Sequence, residues 1–283
     1  MKRFLSFAIL PAMLLLVWSD AHSQAFPPVT RAEMRVARVQ QATRNVSESE
    51  EYLVGRAVAA RILTAYSLVQ DPKLQLYVNE VGQTVARKSS RPKTYKGYHF
   101  AVLESPEPNA FACPGGIILI TRGMLKICGN EDELAAALAH EVAHVAHRDG
   151  INSIAKSRWA EVVADRRIAA AKERGGRAAQ MVTLYEGSIN DVFKSIATNG
   201  YSRTAEWAAD QEALRTLSRA GYSPEALASL LAKMMGQTNQ QVGIYRTHPP
   251  TALRLAKVKA QVKDLKPEKM QKVREVRFKE QKI

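Results

Sequence analysis

Asn130-Glu131-Asp132-Glu133-Leu134-Ala135-Ala136-Ala137-Leu138-Ala139-His140-Glu141-Val142-Ala143-His144 decides how this chain is read. Asn130, with Glu133 three residues on, has the form of a capping box and starts a helix that runs to about Arg148. Residues four apart share one helix face, so His140 and His144 can reach one ion at about 2.0–2.1 Å. Glu141 lies about 100° round the helix, beside such an ion, where it can take a proton from a zinc-activated water. Leu134, Leu138, Val142 and Val145 mark the helix as buried, and two interior histidines without a partner would be costly.

A catalytic zinc takes three protein ligands and keeps one position open. His147 follows His144 too closely on the same helix and diverges from the ion, so a structural role is expected of it. The better third ligand is Glu206, in Glu206-Trp207-Ala208-Ala209-Asp210 on a separate helix. Asp210, one turn later on the same face, is placed to accept the outer ring N–H of a ligating histidine.

Around this core the pattern is predominantly helical with a small sheet, an α+β arrangement. Helices are expected before Ser89. Strands are expected at His99–Leu103 and Gly116–Ile120, joined through the turn-rich Ser105–Asn109. Further helices follow Ser202, closing at Gly221, and Ser223, closing at Gly236.

The remaining composition bounds the setting. The chain has 283 residues, is 46% hydrophobic and 24% charged, and carries +14, which excludes a disordered or fibrous protein and suggests anionic surroundings. Lys2 and Arg3, the apolar run Phe4–Trp18 and the small-x-small Ser23-Gln24-Ala25 read as a secretory signal peptide over 1–25. Its removal takes Lys2, Arg3 and Asp20 and lowers the charge to +13. Export points to the periplasm, makes nucleic acid an improbable partner and permits a disulfide between Cys113 and Cys128. Residues 26–256 then form one domain. Residues 257–283 are expected to be a basic solvated tail or frayed helix, a candidate for peripheral contact with anionic membrane.

Several motifs together resemble the gluzincin metallopeptidases that include HtpX, the CAAX prenyl endopeptidases, the mitochondrial protease Oma and the periplasmic barrel-assembly-enhancing protease. They are Glu51–Gly55, Asp71-Pro72 with Tyr77-Val78-Asn79 and Gly82, Asn109–Ala112 with Pro114-Gly115-Gly116, Thr121–Leu125, the HExxH, the ExxxD, and Thr247-His248-Pro249 with Arg254. The resemblance covers about residues 48–256 and implies a zincin-type endopeptidase domain holding one Zn2+ per chain. It implies His140, His144 and Glu206 as ligands and Glu141 as general base and acid. Asn109, Ala110, Phe111 and Ala112 would form an edge strand lining the cleft, with Gly115 and Gly116 giving clearance for an extended substrate. His248 would approach the metal, stabilising an oxyanion or closing the open position in a latent form, and Arg254 would support it.

Cys113 departs from the family pattern; it could pair with Cys128, rest as a buried thiol or touch the metal, and the disulfide is favoured. Asp149 stands where a histidine is common and receives no role. The tetratricopeptide-repeat extension of the barrel-assembly relatives is not expected after Arg254, nor are the transmembrane helices of HtpX expected in this chain, so recruitment through them is not expected. Residues 156–200, hinged at Gly175-Gly176, are expected to form a lid near the cleft. The expected substrates are misfolded or unassembled envelope proteins. A latent or non-proteolytic assembly factor is the alternative, and a membrane-coating adaptor the third reading.

Overall fold

The computed structural model describes residues 46–153, 187, 189–236, 243–262 and 271–281. The expected signal peptide and most of the expected lid, Gly175-Gly176 included, lie outside the described residues.

Helix α1 (Glu48–Leu63) opens with a complete capping box: Ser47 Oγ accepts from the Glu50 amide and Glu50 reaches back to the Ser47 amide. Helix α2 (Pro72–Ala86) starts under Asp71, whose carboxylate accepts from the amides of Lys73 and Leu74, with proline in the first turn. A four-stranded sheet follows in the order β1-β2-β4-β3. Its strands are β1 (Ser67–Leu68), β2 (His99–Glu104), β3 (Ala110–Cys113) and β4 (Ile117–Thr121). β2 and β4 run parallel, with Val102 opposite Ile120; the other pairs are antiparallel. The two expected strands therefore form the middle of the sheet. β1, only two residues long, has no periodicity to announce it.

Helix α3 (Arg122–Ile127) leads into α4 (Glu131–Ala146), in which every residue from Glu131 to Val145 is buried. Asn130 Oδ1 accepts from the Glu133 amide, as expected of the cap. The return half is missing: Glu133 instead accepts from the Gly129 amide, Ser229 and Lys233. That carboxylate thus ties α4 to α6 (Glu225–Met235). Between them α5 (Arg203–Ala220) is capped by Ser202 and ends at Gly221 in the left-handed conformation, φ 78°. One core gathers α2, the sheet, α4, α5 and α6, with Leu134, Leu138 and Leu217 fully enclosed. A second, around Val58, Ile62, Phe111 and Ile196, sits under α1.

The chain continues through α7 (Ile244–Thr247) and α8 (Ala252–Val262), then α9 (Gln271–Lys279). Over its described part the segment from 257 is not a free tail. Val258 and Val262 are buried in the main core, Arg274 pairs with Asp132, and Arg277 holds the fully buried Glu131. The charge run misled because its arginines answer buried carboxylates at the start of α4.

Two other expectations change. Cys113 and Cys128 are both free, buried thiols and belong to different cores, Cys113 to that under α1 and Cys128 to that around α4. Burial raises both thiols well above their ordinary range, and the Cys128 thiol donates to the Met124 carbonyl. Gly115 and Gly116 have φ of 76° and 107°, but their missing side chains make room for the protein itself. A Cβ on Gly115 would lie 2.6 Å from Tyr52 Cα, and one on Gly116 would lie 2.8 Å from the Gly97 carbonyl oxygen.

Candidate metal centre

His140 and His144 project from the C-terminal half of α4, and Glu206 from the first turn of α5. His248 follows α7 directly, held there by its amide bonding to the Ile244 carbonyl. All four side chains are buried, and one ligand atom from each lies within 4.8 Å of the others. The Nε2 atoms of His140 and His144 are 3.1 Å apart, and Glu206 carboxylate oxygens lie 3.3 and 3.4 Å from them. His248 Nδ1 is 2.9 Å from Glu206 Oε1 and 3.4 Å from His140 Nε2.

The outer faces of the rings explain this convergence. His144 Nδ1 bonds Asp149 Oδ2 at 2.8 Å, and His140 Nδ1 faces Asp210 Oδ1 at 3.2 Å. Asp149 holds the His144 ring proton on Nδ1, Asp210 lies beside the His140 Nδ1, and the two Nε2 atoms point at one spot. Such an arrangement calls for a cation. Ligand bonds of about 2.0–2.1 Å set tetrahedral edges of roughly 3.3–3.4 Å, close to the spacings found here. Burial alone would push His144 down, but Asp149 and Glu206 outweigh it and raise it to about 10. Burial would likewise raise Glu206; the three histidines around it instead hold its carboxyl well below the usual range.

Arg254 ties the centre together from behind. Its Nε and one terminal nitrogen make a fork with Asp210 at 2.8 and 2.7 Å. The other terminal nitrogen contacts Glu206 at 2.9 Å and the His248 carbonyl at 3.2 Å. Asp210 is therefore lowered, Arg254 and His140 outweighing its burial.

Glu141 stands apart from this network. It is 1% exposed, its Oε2 has no hydrogen-bond partner among the described residues, and His248 Nε2 is 3.8 Å from its Oε1. A buried carboxylate oxygen with nothing to bind is expensive unless a substrate or water uses it.

Not every candidate joins the cluster. His147 caps the end of α4 outside it. Ala110, Phe111 and Ala112 do form the edge strand β3, and Asn109 precedes it with its amide bonded to Thr121 Oγ1. That edge is covered: β3 is entirely buried, with Val192 and Ile196 packed in the core that holds Phe111 and Cys113. Two residues escaped the sequence reading. Asp149 reaches His144 because Arg148 before it takes φ 58° and turns the chain back. Tyr201 stacks on His144 with ring centroids 4.4 Å apart. A carboxylate just past the helix was the available signal for Asp149; nothing in the sequence pointed to Tyr201.

The profile of peptidase family M48 matches residues 72–262, which hold the whole cluster. The chain belongs to peptidase family M48. Among its relatives, the beta-barrel assembly-enhancing protease of Escherichia coli K12 is 26% identical over 234 residues, covering 78% of this chain and 46% of that protein. The mitochondrial metalloendopeptidase OMA1 of Schizosaccharomyces pombe is 30% identical over 186 residues, covering 65% of this chain and 51% of its own length. A protease HtpX homolog of Salinibacter ruber is 26% identical, covering 56% of this M48 chain and 65% of that relative. The chain thus spans about half the length of the first two. Among the described residues of this M48 protein, no helix is long and apolar enough to cross a membrane.

Proposed function

We propose that this chain is a zinc endopeptidase of the bacterial envelope that hydrolyses misfolded or unassembled proteins. The observation that carries the reading is the convergence of the His140 and His144 Nε2 atoms with Glu206, each ring anchored from outside by a carboxylate. Nitrogen and carboxylate donors in near-tetrahedral spacing suit zinc. When bound, zinc supplies a Lewis acid that polarises a peptide carbonyl and lowers the pKa of water.

The protein's own residues do the rest. Glu141 accepts the proton of the attacking water as its oxygen joins the carbonyl carbon, then passes that proton to the amide nitrogen as the C–N bond breaks. Arg254 and Asp210 hold Glu206, His140 and the His248 loop in register. Asn109–Ala112 offer an edge to which an extended substrate adds as a strand, once the segment carrying Val192 and Ile196 moves aside. The leader expected over residues 1–25 and the name of the beta-barrel assembly-enhancing relatives support an envelope location. Lys259, Lys272 and Lys279 remain exposed for peripheral contact with anionic lipid, whereas Arg274 and Arg277 are engaged internally.

A second reading, a latched assembly factor that does not cleave, is favoured by His248 filling the fourth place in the cluster. Unfolded outer-membrane protein incubated with zinc-loaded wild type, Glu141→Gln and His248→Ala separates the two. Cleavage by wild type or His248→Ala, absent in Glu141→Gln, supports the peptidase. No cleavage by any of them, at full zinc occupancy, supports the latched factor.

A further inference from the structure

Glu51, in the first turn of α1, is fully buried and lies before the residues 72–262 that the family profile matches. Both of its carboxylate oxygens are engaged. Oε1 accepts from Arg91 Nη1 at 3.0 Å and from the Gly115 amide at 3.3 Å. Oε2 accepts from Arg91 Nη2 at 3.0 Å and pairs with Arg148 Nε, also at 3.0 Å. Arg148 in turn donates from Nη2 to the Val46 carbonyl at 2.6 Å, which pins its side chain to the start of α1. We infer that Glu51 is a positioning residue for the metal centre: through Arg148 and Gly115 it holds the turn that delivers Asp149 to His144.

The inference rests on the metal-centre reading and adds to it the support of one ligand. Asp149 binds His144 Nδ1 at 2.8 Å, and both of its chain neighbours rest on Glu51. On one side is Arg148, the one non-glycine residue with positive φ among the described residues, at 58°. That conformation is unfavourable for any residue with a Cβ and persists only where the surroundings impose it. Glycine would take it freely, so an arginine there is explained by its side chain, which pairs with Glu51. On the other side is Gly150, where a Cβ would lie 3.0 Å from Pro114 Cγ. Gly150 thus packs on the turn whose Gly115 amide Glu51 holds. A buried carboxylate facing two arginines keeps its geometry, because leaving any of the three charges unpaired is costly. His140 has no such dependence: its outer nitrogen faces Asp210, which Arg254 holds.

Zinc competition against a fluorescent chelator, on the full chain, tests this with Glu51→Gln, Arg148→Gly and Asp149→Asn. Glu51→Gln and Arg148→Gly should each weaken zinc binding about three- to tenfold, less than Asp149→Asn, because they act one step further from the ligand. Arg148→Gly takes the left-handed turn without backbone strain, so it keeps the test open where Glu51→Gln does not fold. Added to Asp149→Asn, either change should weaken zinc binding no further, since the carboxylate it places is already gone. Arg277→Ala, which loosens the opposite end of α4, should bind zinc as wild type does. Unchanged affinity in either folded variant, losses that multiply with that of Asp149→Asn, or an equal loss in Arg277→Ala overturns the inference.

A spectrum of the rings keeps this separate from the metal claim. In the full chain labelled with 15N-histidine, with or without zinc, wild type should show a slowly exchanging His144 Nδ1–H, held by Asp149. In Glu51→Gln and Arg148→Gly that signal should broaden or vanish, while that of His140 stays. If wild type takes up no zinc yet this selective loss appears, the positioning of His144 stands and the metal centre falls. An undisturbed His144 signal, or equal loss at both rings, overturns the positioning role.

Discussion

Asp149 reaches back across a left-handed turn at Arg148 to bind His144 Nδ1 at 2.8 Å. This contact fixes the ring proton on the outer nitrogen and leaves Nε2 free to face His140 and Glu206. It pairs with the Asp210–His140 contact on the other side of the cluster.

Asp149→Asn is therefore expected to weaken metal binding roughly 10–100-fold, with the fold intact, because an amide no longer enforces the tautomer. Zinc competition against a fluorescent chelator measures this. An unchanged affinity would show that Asp149 does not orient the ligand.

The C-terminal helix should matter to stability. Glu131 is fully buried at the start of α4 and is met by Arg277, Tyr77 and Tyr222, with Tyr77 Oη at 3.0 Å and Tyr222 Oη at 3.1 Å. Arg277→Ala leaves that carboxylate short of its cation and should cost about 1–3 kcal/mol in urea unfolding. Glu131→Gln with Arg277→Ala should cost less than the two single changes added together. Simple additivity would mean that α9 rests there without coupling.

Glu212 is a source of acid sensitivity. Glu212 accepts from the Ser90 amide at 2.8 Å and pairs with Arg215 at 3.0 Å. Burial alone would raise it, but the Arg215 and Ser90 bonds win and its carboxyl is lowered. A lowered folded-state value means stabilisation that is present above the ordinary carboxylate pKa of about 4.3 and lost as pH falls through the folded value. Glu212→Gln should thus be less stable than wild type at neutral pH, with the gap closing below about pH 4. A gap that stays constant down to pH 3 would contradict the assignment.

Cys113 and Cys128 should behave as enclosed thiols. The native protein should resist a maleimide, and the denatured, unreduced protein should take up two labels, one for each free cysteine. No label after denaturation would show the disulfide that the exported setting permits.

What could be read before the structure follows physical lines. Helix α4 was legible because capping, spacing and apolar content all act within a few residues of His140. Glu206 and Asp210 were legible because they share a helix face at the same close range. The two-residue strand β1 and the true partners of Glu133 were not, since tertiary contacts with β2 and α6 create them. Asp149 depends on one unusual φ, and Tyr201 on a ring contact across the fold. The tail was misjudged for the opposite reason: Arg274 and Arg277 look like solvated charge until Asp132 and Glu131 are seen buried beneath them.

The proposed site holds one metal ion between His140, His144 and Glu206. Zinc-edge X-ray absorption on the purified full chain, with metal content measured on the same sample, tests it most directly. About one zinc per chain is expected, in a four-coordinate nitrogen/oxygen shell at about 2.0–2.1 Å, retained in His248→Ala and lost in His140→Ala. A sulfur shell, or a protein that stays metal-free in excess zinc, would contradict it.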